Sequence, residues 1–309
     1  MPSFSYDVKS ELSTCITDLD KKYACLYGML LFCKQFDFDR ITLHTEHDKV
    51  ATLFAELVGE ILNKKNAVQF IEKEKSNKDK YYILNIGNKE DCKELIGKYK
   101  VFSSDQLHRI NTDNIGNNGL IVFLAGAFLV CGSIIDPNKE YHLEFVTPYF
   151  NLSRDLQDIL LMTGVTAKRS ERKGVHILYV KESENIEDIL TFMGATRSSL
   201  EIMNIKILKD VRNKANRIAN CDSANIEKTV NASAKQVEDI NYIEETCGLS
   251  SLSDELREIA EIRLEYPELS LRELGQMLSN SISRSGANHR MKKISLIAEQ
   301  IRENQKKQG

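Results

Sequence analysis

The chain of 309 residues is short of several features that would place it at once. It has only four prolines and fifteen glycines against 42% hydrophobic residues, which excludes collagen-like, low-complexity and disordered classes. Its seven cysteines, at positions 15, 25, 33, 92, 131, 221 and 247, are odd in number and include no C-x-x-C pair. That excludes a disulfide framework and a zinc site, and reads as the reduced thiols of a cytoplasmic protein. Long apolar runs are also missing. The one extended run, Leu120 to Ile135, contains two glycines and a serine and falls short of the ~20 residues a bilayer span needs. The opening MPSFSYDVKSEL carries acids and no apolar core, so no signal peptide is expected.

A charge excess of either sign is lacking too. Lys and Arg total 42 and Asp and Glu 45, a formal net charge of −3, which on its face speaks against a nucleic-acid partner. Partners respond to local fields rather than to the sum. Residues 201–220 carry five basic and two acidic side chains, residues 221–270 sum to −8, residues 271–280 to zero, and residues 281–309 to +5. An acidic stretch therefore separates two basic ones.

The length is enough for two or three domains. Periodicity and turn signals over the first two hundred residues give one order of elements twice. The first copy runs from a helix at Lys22 to Lys34 through a hairpin (QFDF, a turn at Asp39, ITLHTE) to an amphipathic helix from Asp48 to Leu62. Strands AVQFIEKE and KYYILNIG follow, joined by the tip SNKD, and a helix from Lys89 to Tyr99 closes the copy. The second begins with an apolar helix from about Gly119 to Cys131 and a hairpin (SII, DPNK, EYHLEFVT). It continues with a helix near Ser153 to Met162, strands VTAKRS and GVHILYVK around the tip ERK, and a helix from about Asn185 to Met193. Each copy reads α-β-β-α-β-β-α, so residues 1–200 are expected to form one pseudo-symmetric α+β domain.

The stretches ACLYGMLLFCKQ and FLAGAFLVCGS resemble the paired helices of LAGLIDADG homing endonucleases. Gly28, Gly126 and Ala125 lack bulk, so two helix backbones can approach closely along a pseudo-twofold axis. In the active enzymes of that family, an acid near the end of each helix holds the divalent metals of two-metal hydrolysis. The resemblance puts Cys33 and Cys131 at those positions. Thiols ionise weakly at neutral pH and are poor ligands for Mg²⁺, so metal-dependent cleavage of the usual kind is expected to be absent. Asp37 and Asp136, just beyond the cysteines, are the residues that would have to take over the acid role. On such a saddle, exposed strand residues supply phosphate contacts. The candidates are Lys168, Arg169, Arg172 and Lys173 in the second copy and Lys73, Lys75, Lys78 and Lys80 in the first. Glu72, Glu74 and Glu171 interrupt both groups, and charged hairpin tips kept in solvent explain them equally well. His44, His47 and Asp48 suggest a metal cluster, but a strand-to-helix junction capped by Thr45 or Asp48 accounts for them more simply.

Beyond residue 200 the pattern is helical only. Asn213, Asn216, Arg217 and Asn220 fall at i, i+3, i+4 and i+7, one polar stripe on one helix face. Asparagine is a mediocre helix former, and a solvated face would normally use Glu and Lys. The stripe suits hydrogen bonds to phosphates or base edges, or a polar interface. The run Arg212-Asn213, Asn216-Arg217, Asn220-Cys221, Ala224-Asn225 and Lys228-Thr229 resembles the bacterial WhiA regulator family. The likeness extends to SFSYDVKSEL at the start and GSIIDPNKEYHLEF after the second motif helix.

Leu256, Ile259, Ala260, Ile262 and Leu264 make an apolar face that Tyr266-Pro267 ends. Ser270 with Glu273 three residues on is a capping box. SLRELGQML, the turn SNSI and a helix opening at Ser283 then have helix-turn-helix spacing, in which the later helix enters the major groove. Ala287, Met291 and Ile294 form its inward stripe. Arg284, Ser285, Asn288, His289 and Lys292 face outward to read bases or grip phosphates, flanked by Arg290 and Lys293 as phosphate contacts.

The expected architecture is a degenerate LAGLIDADG-like domain (1–200), a helical linker with the Asn/Arg face (201–248) and an all-α helix-turn-helix domain (249–309). What the resemblance implies is a sequence-specific, non-enzymatic transcriptional regulator of bacterial cell division and chromosome segregation, and of sporulation in sporulating species. Its C-terminal module would be similar to the promoter-reading helix-turn-helix (region 4) of sigma factors. The expected partner is double-stranded DNA, with transcription or division proteins beside it. The expected state is a monomer associated with the nucleoid in the cytoplasm, without membrane attachment, cofactor or metal. Two alternatives stay open: a residual metal-dependent endonuclease on relocated acids, and a protein-binding scaffold with a DNA-binding tail.

Overall fold

A computed structural model of the chain describes all residues except 1–2, 15–18, 75–79, 102, 104–105, 117–118 and 309. It divides into two compact units, Met1–Lys209 and Asp210–Gly309. Among the described residues, no helix is long and apolar enough to cross a membrane.

The first unit is built on the helices α2 (Leu19–Leu31) and α5 (Leu120–Cys131), and the same succession follows each. After α2 come β1 (Gln35–Phe36), β2 (Ile41–Thr45), α3 (Asp48–Leu62), β3 (Gln69–Glu74), β4 (Lys80–Ile86) and α4 (Lys89–Lys98). After α5 come β5 (Gly132–Ile134), β6 (Leu143–Thr147), α6 (Phe150–Met162), β7 (Lys168–Arg172), β8 (Val175–Val180) and α7 (Ser183–Met193). The two antiparallel sheets have matching strand orders, β1-β2-β4-β3 and β5-β6-β8-β7, which is the duplication expressed as topology. Strand alternation sets one face of each sheet against helices: Tyr82, Leu84 and Ile86 of β4 and Leu143, Phe145 and Thr147 of β6 are buried.

Several local expectations need correction. The helix expected near Ser153 starts at Phe150, and Ser153 is buried within it. The β7–β8 tip is not ERK but Lys173-Gly174, the two residues left between the paired Arg172 and Val175. Both have positive φ (52° and 78°), the conformation of a two-residue hairpin turn that follows strand twist. The junction before α3 is capped by neither Asp48 nor Thr45. His47 is the N-cap residue and makes no side-chain cap bond, while Thr45 Oγ1 accepts the His47 N–H.

Helix α1 (Phe4–Leu12) was not foreseen. Ser3 caps it by accepting the Tyr6 N–H, and Phe4, Val8 and Leu12 at i, i+4 and i+8 bury one face against the core. At its other end the Glu11 carboxylate accepts the backbone N–H of Arg197 and of Ser198. These are two of the donors that the first turn of α8 (Thr196–Cys247) leaves without intrahelical partners.

Helix α8 is continuous for 52 residues, so the expected boundary at 200 lies inside it. Residues 211–232 are exposed all round. The helix ends at Gly248, whose φ of 75° lets its N–H turn back to the carbonyls of Ile243 and Glu244.

In the second unit, Ile240 and Ile243 of α8 pack with α9 (Asp254–Glu265), α10 (Leu271–Met277) and α11 (Arg284–Gln308) around Leu256, Ile259, Leu274, Met291 and Ile294. Arg302 of α11 pairs with the buried Asp239 of α8 at 2.8 Å and lies over the Tyr242 ring, tying the last helix to the first.

Candidate nucleic-acid interface

The central helix pair is as close as its glycines allow. A Cβ on Gly28 would stand 2.3 Å from the Phe123 carbonyl oxygen, and one on Gly126 would stand 2.2 Å from the Cys25 carbonyl oxygen. The clashes are reciprocal, α2 against α5 and α5 against α2, as a pseudo-twofold contact requires.

At the ends of these helices Cys33 is buried and the Cys131 sulfur is shielded. Burial pushes the Cys33 thiol far up and the Cys131 thiol up to about 12, so both are neutral thiols at physiological pH. Helix α1 packs against α5 and β5 at this place. Its Lys9 stands 5.9 Å from the Phe128 ring centre, and burial lowers its ammonium to about 8, against the pull of Cys131 and Glu46. Two neutral thiols, with a lysine near Cys131, do not fit a divalent metal, which wants several hard oxygen ligands. Among the described residues no group of three or more His, Cys, Asp or Glu is placed to hold one.

Asp37 and Asp136 are occupied elsewhere. Asp37 accepts the N–H groups of Asp39 and Arg40 and the Gln35 amide, and Asp136 accepts the N–H and side-chain amide of Asn138. Burial raises the Asp37 pKa, but its hydrogen bonds, Gln35 first, outweigh that and leave it lowered. The Asn138 N–H leads in lowering Asp136. Each acid shapes its own hairpin turn. His47 bonds Ser10 Oγ and the Tyr6 carbonyl, His44 bonds the Tyr81 hydroxyl, and Asp48 accepts from the Tyr6 hydroxyl.

The expected strand cations do not share one surface. Directly paired residues of an antiparallel ladder lie on one face. Arg169 pairs with the buried Leu178 and lies 4.9 Å over the Phe150 ring, on the helix side of its sheet. Lys168 and Arg172 pair with Tyr179 and Val175 and belong to the open face, where Lys168 is ion-paired to Glu182 at 3.2 Å. Lys173 sits in the turn itself. In the first copy Lys73 pairs with Tyr81 on the open face and Lys80 is ion-paired to Glu72, while Lys75 and Lys78 lie outside the described residues. Among the described candidates, Lys73, Lys168 and Arg172 therefore belong to the open faces, beside half-buried Ile83 and Ile177.

Asn213, Asn216, Arg217 and Asn220 are all exposed on α8, and none makes a side-chain hydrogen bond to another described residue.

The helix-turn-helix is assembled by α10, the turn and α11. Ser270 accepts the Glu273 N–H while the Glu273 carboxylate accepts the Ser270 N–H, the reciprocal capping box. The turn closes where Gly275 lets Ile282 approach: its carbonyl accepts the Ile282 N–H at 2.9 Å, and a Cβ there would stand 2.5 Å from the Ile282 oxygen. Glu258 of α9 accepts the Ser279 N–H at 2.6 Å, and Ser283 caps α11 by accepting the Gly286 N–H. Ala287, Met291 and Ile294 are buried, which leaves Arg284, Ser285, His289, Lys292 and Lys293 exposed and Asn288 half-buried at the edge. Arg290 departs from its expected role. It turns back onto α9, 3.2 Å from the Glu255 carboxylate, and serves to fix α11 to its neighbour.

The sequence does not make three groups of residues evident: Lys9 near Cys131, Glu11 capping α8, and Arg263 with its neighbours near the start of α10. The spacing of Phe4, Val8 and Leu12 after Ser3 was the available signal for the first two. A charged residue inside the apolar face of α9 was the signal for the third.

A LAGLIDADG-type tandem domain with shielded cysteine thiols at the ends of its central helices, followed by a helix-turn-helix, defines the class. A family model described as the WhiA LAGLIDADG-like domain matches residues 120–212, and one described as the WhiA C-terminal HTH domain matches residues 215–298. The chain is 36% identical over 312 residues to a probable cell division protein WhiA of Clostridium tetani, covering 97% of this chain and 98% of that protein. A relative of the same name in Thermoanaerobacter pseudethanolicus is 36% identical over 313 residues, with 97% and 98% covered. The full-length DUF199/WhiA crystal structure from Thermatoga maritima superposes with a TM-score of 0.59 at 26% identity, covering 97% of this chain and 99% of that one. The isolated N-terminal LAGLIDADG domain of DUF199/WhiA shares the fold at a TM-score of 0.50 and 19% identity, covering 63% of this chain and 91% of its own. The chain belongs to the WhiA family.

Proposed function

We propose that this protein is a sequence-specific DNA-binding regulator of transcription that acts in bacterial cell division and chromosome segregation, and in sporulation where the organism sporulates, without cutting DNA. The observation that carries the reading is the exposed set Arg284, Ser285, His289, Lys292 and Lys293, with Asn288 at its edge, on a helix whose start and turn are fixed by Ser283, Gly275 and Glu258. Arginine and asparagine are the side chains suited to guanine and adenine edges, and lysine to phosphates. Helix-turn-helix membership and relatives named as cell division proteins support the biological setting. The exposed stripe Asn213, Asn216, Arg217 and Asn220 is a second candidate contact, and Lys168 and Arg172 are a weaker third.

Buried neutral thiols, Lys9 near Cys131, and the bonding of Asp37 and Asp136 within their own turns support a protein that does not cleave DNA. Genome-wide mapping of bound sites, together with incubation of supercoiled plasmid with Mg²⁺ or Mn²⁺, tests both halves. Discrete bound sites and intact plasmid are expected. Metal-dependent nicking abolished by Asp37→Asn or Asp136→Asn would establish the residual nuclease instead.

A further inference from the structure

Arg263, on the inner face of α9, is among the largest fully buried side chains of the protein, and it makes no ion pair with any described residue. Its Nη1 donates to the carbonyls of Leu269 at 2.7 Å and Pro267 at 3.2 Å and to Ser233 Oγ at 3.4 Å, while its Nε has no partner. Exposed Glu268 is the one carboxylate that acts on it across space. A buried guanidinium without a counter-ion is costly, and the cost falls when an anion is supplied.

Arg263 lines a cleft of about 530 Å³ within the second unit, between α8 and the starts of α10 and α11. Lys228, Arg272 and Arg284 line it too, all exposed and none ion-paired to a described residue, and no carboxylate lines its walls. The Gln236 side-chain oxygen, also in the wall, is buried without a partner, so the cleft floor retains unused polar groups of both kinds. Four cations converge on one concavity, and two of them, Lys228 and Arg263, come from residues 221–270, which sum to −8. Like charges held together with no acid between them focus a positive field on whatever enters.

We propose that this cleft is a phosphate site, and that its occupant is the phosphodiester backbone of the DNA whose bases α11 reads. The volume admits a phosphate with its flanking sugar, and Arg284 belongs both to the cleft and to the outward face of α11, which puts the occupant beside the bases being read. The proposal rests on the DNA-binding reading and extends it. It makes residues 225–236 of α8 part of the DNA-binding module, in line with the WhiA helix-turn-helix family model beginning at residue 215.

The test compares the full-length protein with the Lys228→Gln/Arg272→Gln double variant by fluorescence anisotropy across a salt series, on a duplex carrying a site recovered by the genome-wide mapping. A parallel arm measures the melting temperature of each with added pyrophosphate at constant ionic strength. The proposal predicts that the variant binds duplex at least tenfold more weakly at low salt. Its plot of log affinity against log salt should be shallower by about two, roughly one for each cation removed. A duplex affinity and salt slope unchanged from wild type, with a pyrophosphate-induced stabilisation that the variant loses, would assign the cleft to a free phosphorylated small molecule and overturn the DNA source. No change in either arm would leave Arg263 as a staple for the 267–269 loop and overturn the site altogether. If the wild-type protein binds no duplex, the DNA-binding reading falls and the cleft's role in it falls with it. Normal wild-type binding with an unaffected variant overturns the DNA occupant of the cleft and leaves the DNA-binding reading standing.

Discussion

Single atoms decide how the two halves of the first unit meet. Because the Cβ of an alanine at position 28 would press on backbone rather than on a flexible side chain, Gly28→Ala cannot be absorbed by a rotamer change. The variant is expected to lose about 1–3 kcal/mol in a urea titration of the full chain, and Gly126→Ala a similar amount. A loss confined to a few tenths would mean the helix pair is looser than its carbonyl contacts imply. Lys9 has the opposite sign. Its ammonium titrates at about 8 when folded, against an ordinary value of 10.5, so between these values the unfolded chain holds more protons and stability rises with pH. Below pH 8 the burial cost is present in full. Lys9→Met should therefore stabilise the protein at pH 7 by about 1–3 kcal/mol, the gain shrinking across pH 8–10.5. A variant less stable than wild type at pH 7 would show that the lysine is held by more than it gives up.

At the scale of elements, much was legible from spacing alone. Helix α3 runs from Asp48 to Leu62 as its apolar repeat dictates, and the Ser270–Glu273 capping box forms in both directions. Ser270→Ala should cost about 1 kcal/mol in thermal unfolding and loosen the start of α10; an unchanged melt would mean that packing of Leu274 alone sets that helix. What was not legible has physical reasons. Helix α1 spans nine residues, too few for a periodicity to stand out, and only its docking on α3 and α5 makes it stable. The inward face of α9 was expected to carry Ile262 and Leu264, yet both are half-buried and Arg263 is the side chain inside. Counting apolar residues alone passes over an arginine whose stem packs while its head serves backbone carbonyls, although its place in the 256–259–260–263 spacing marks it. Arg290 and Arg169 differ from the outward placing expected of them for a related reason: each packs in three dimensions against a carboxylate or an aromatic ring of its own unit. None of these neighbours is near in sequence.

At the scale of the whole molecule, the near-neutral total of −3 conceals a division of labour. Acids on α9 are spent on holding the turn and α11 in place, as Glu255 and Glu258 show, while Lys228, Arg272 and Arg284, which make no ion pair with a described residue, gather around the cleft. A modest net charge limits binding to arbitrary DNA and leaves discrimination to a few placed side chains. The first unit has a tandem LAGLIDADG-like architecture whose two central helices end at neutral thiols, with Lys9 near Cys131. The central claim, that α11 reads sequence, is tested most directly by selecting bound duplexes from a random pool with the full-length protein and with Asn288→Ala. The wild type should enrich one motif, and the variant should enrich the same motif with discrimination relaxed by about 1–3 kcal/mol at one base pair. Enrichment of no motif, or of an identical motif with undiminished discrimination by a variant lacking both Arg284 and Asn288, would contradict it.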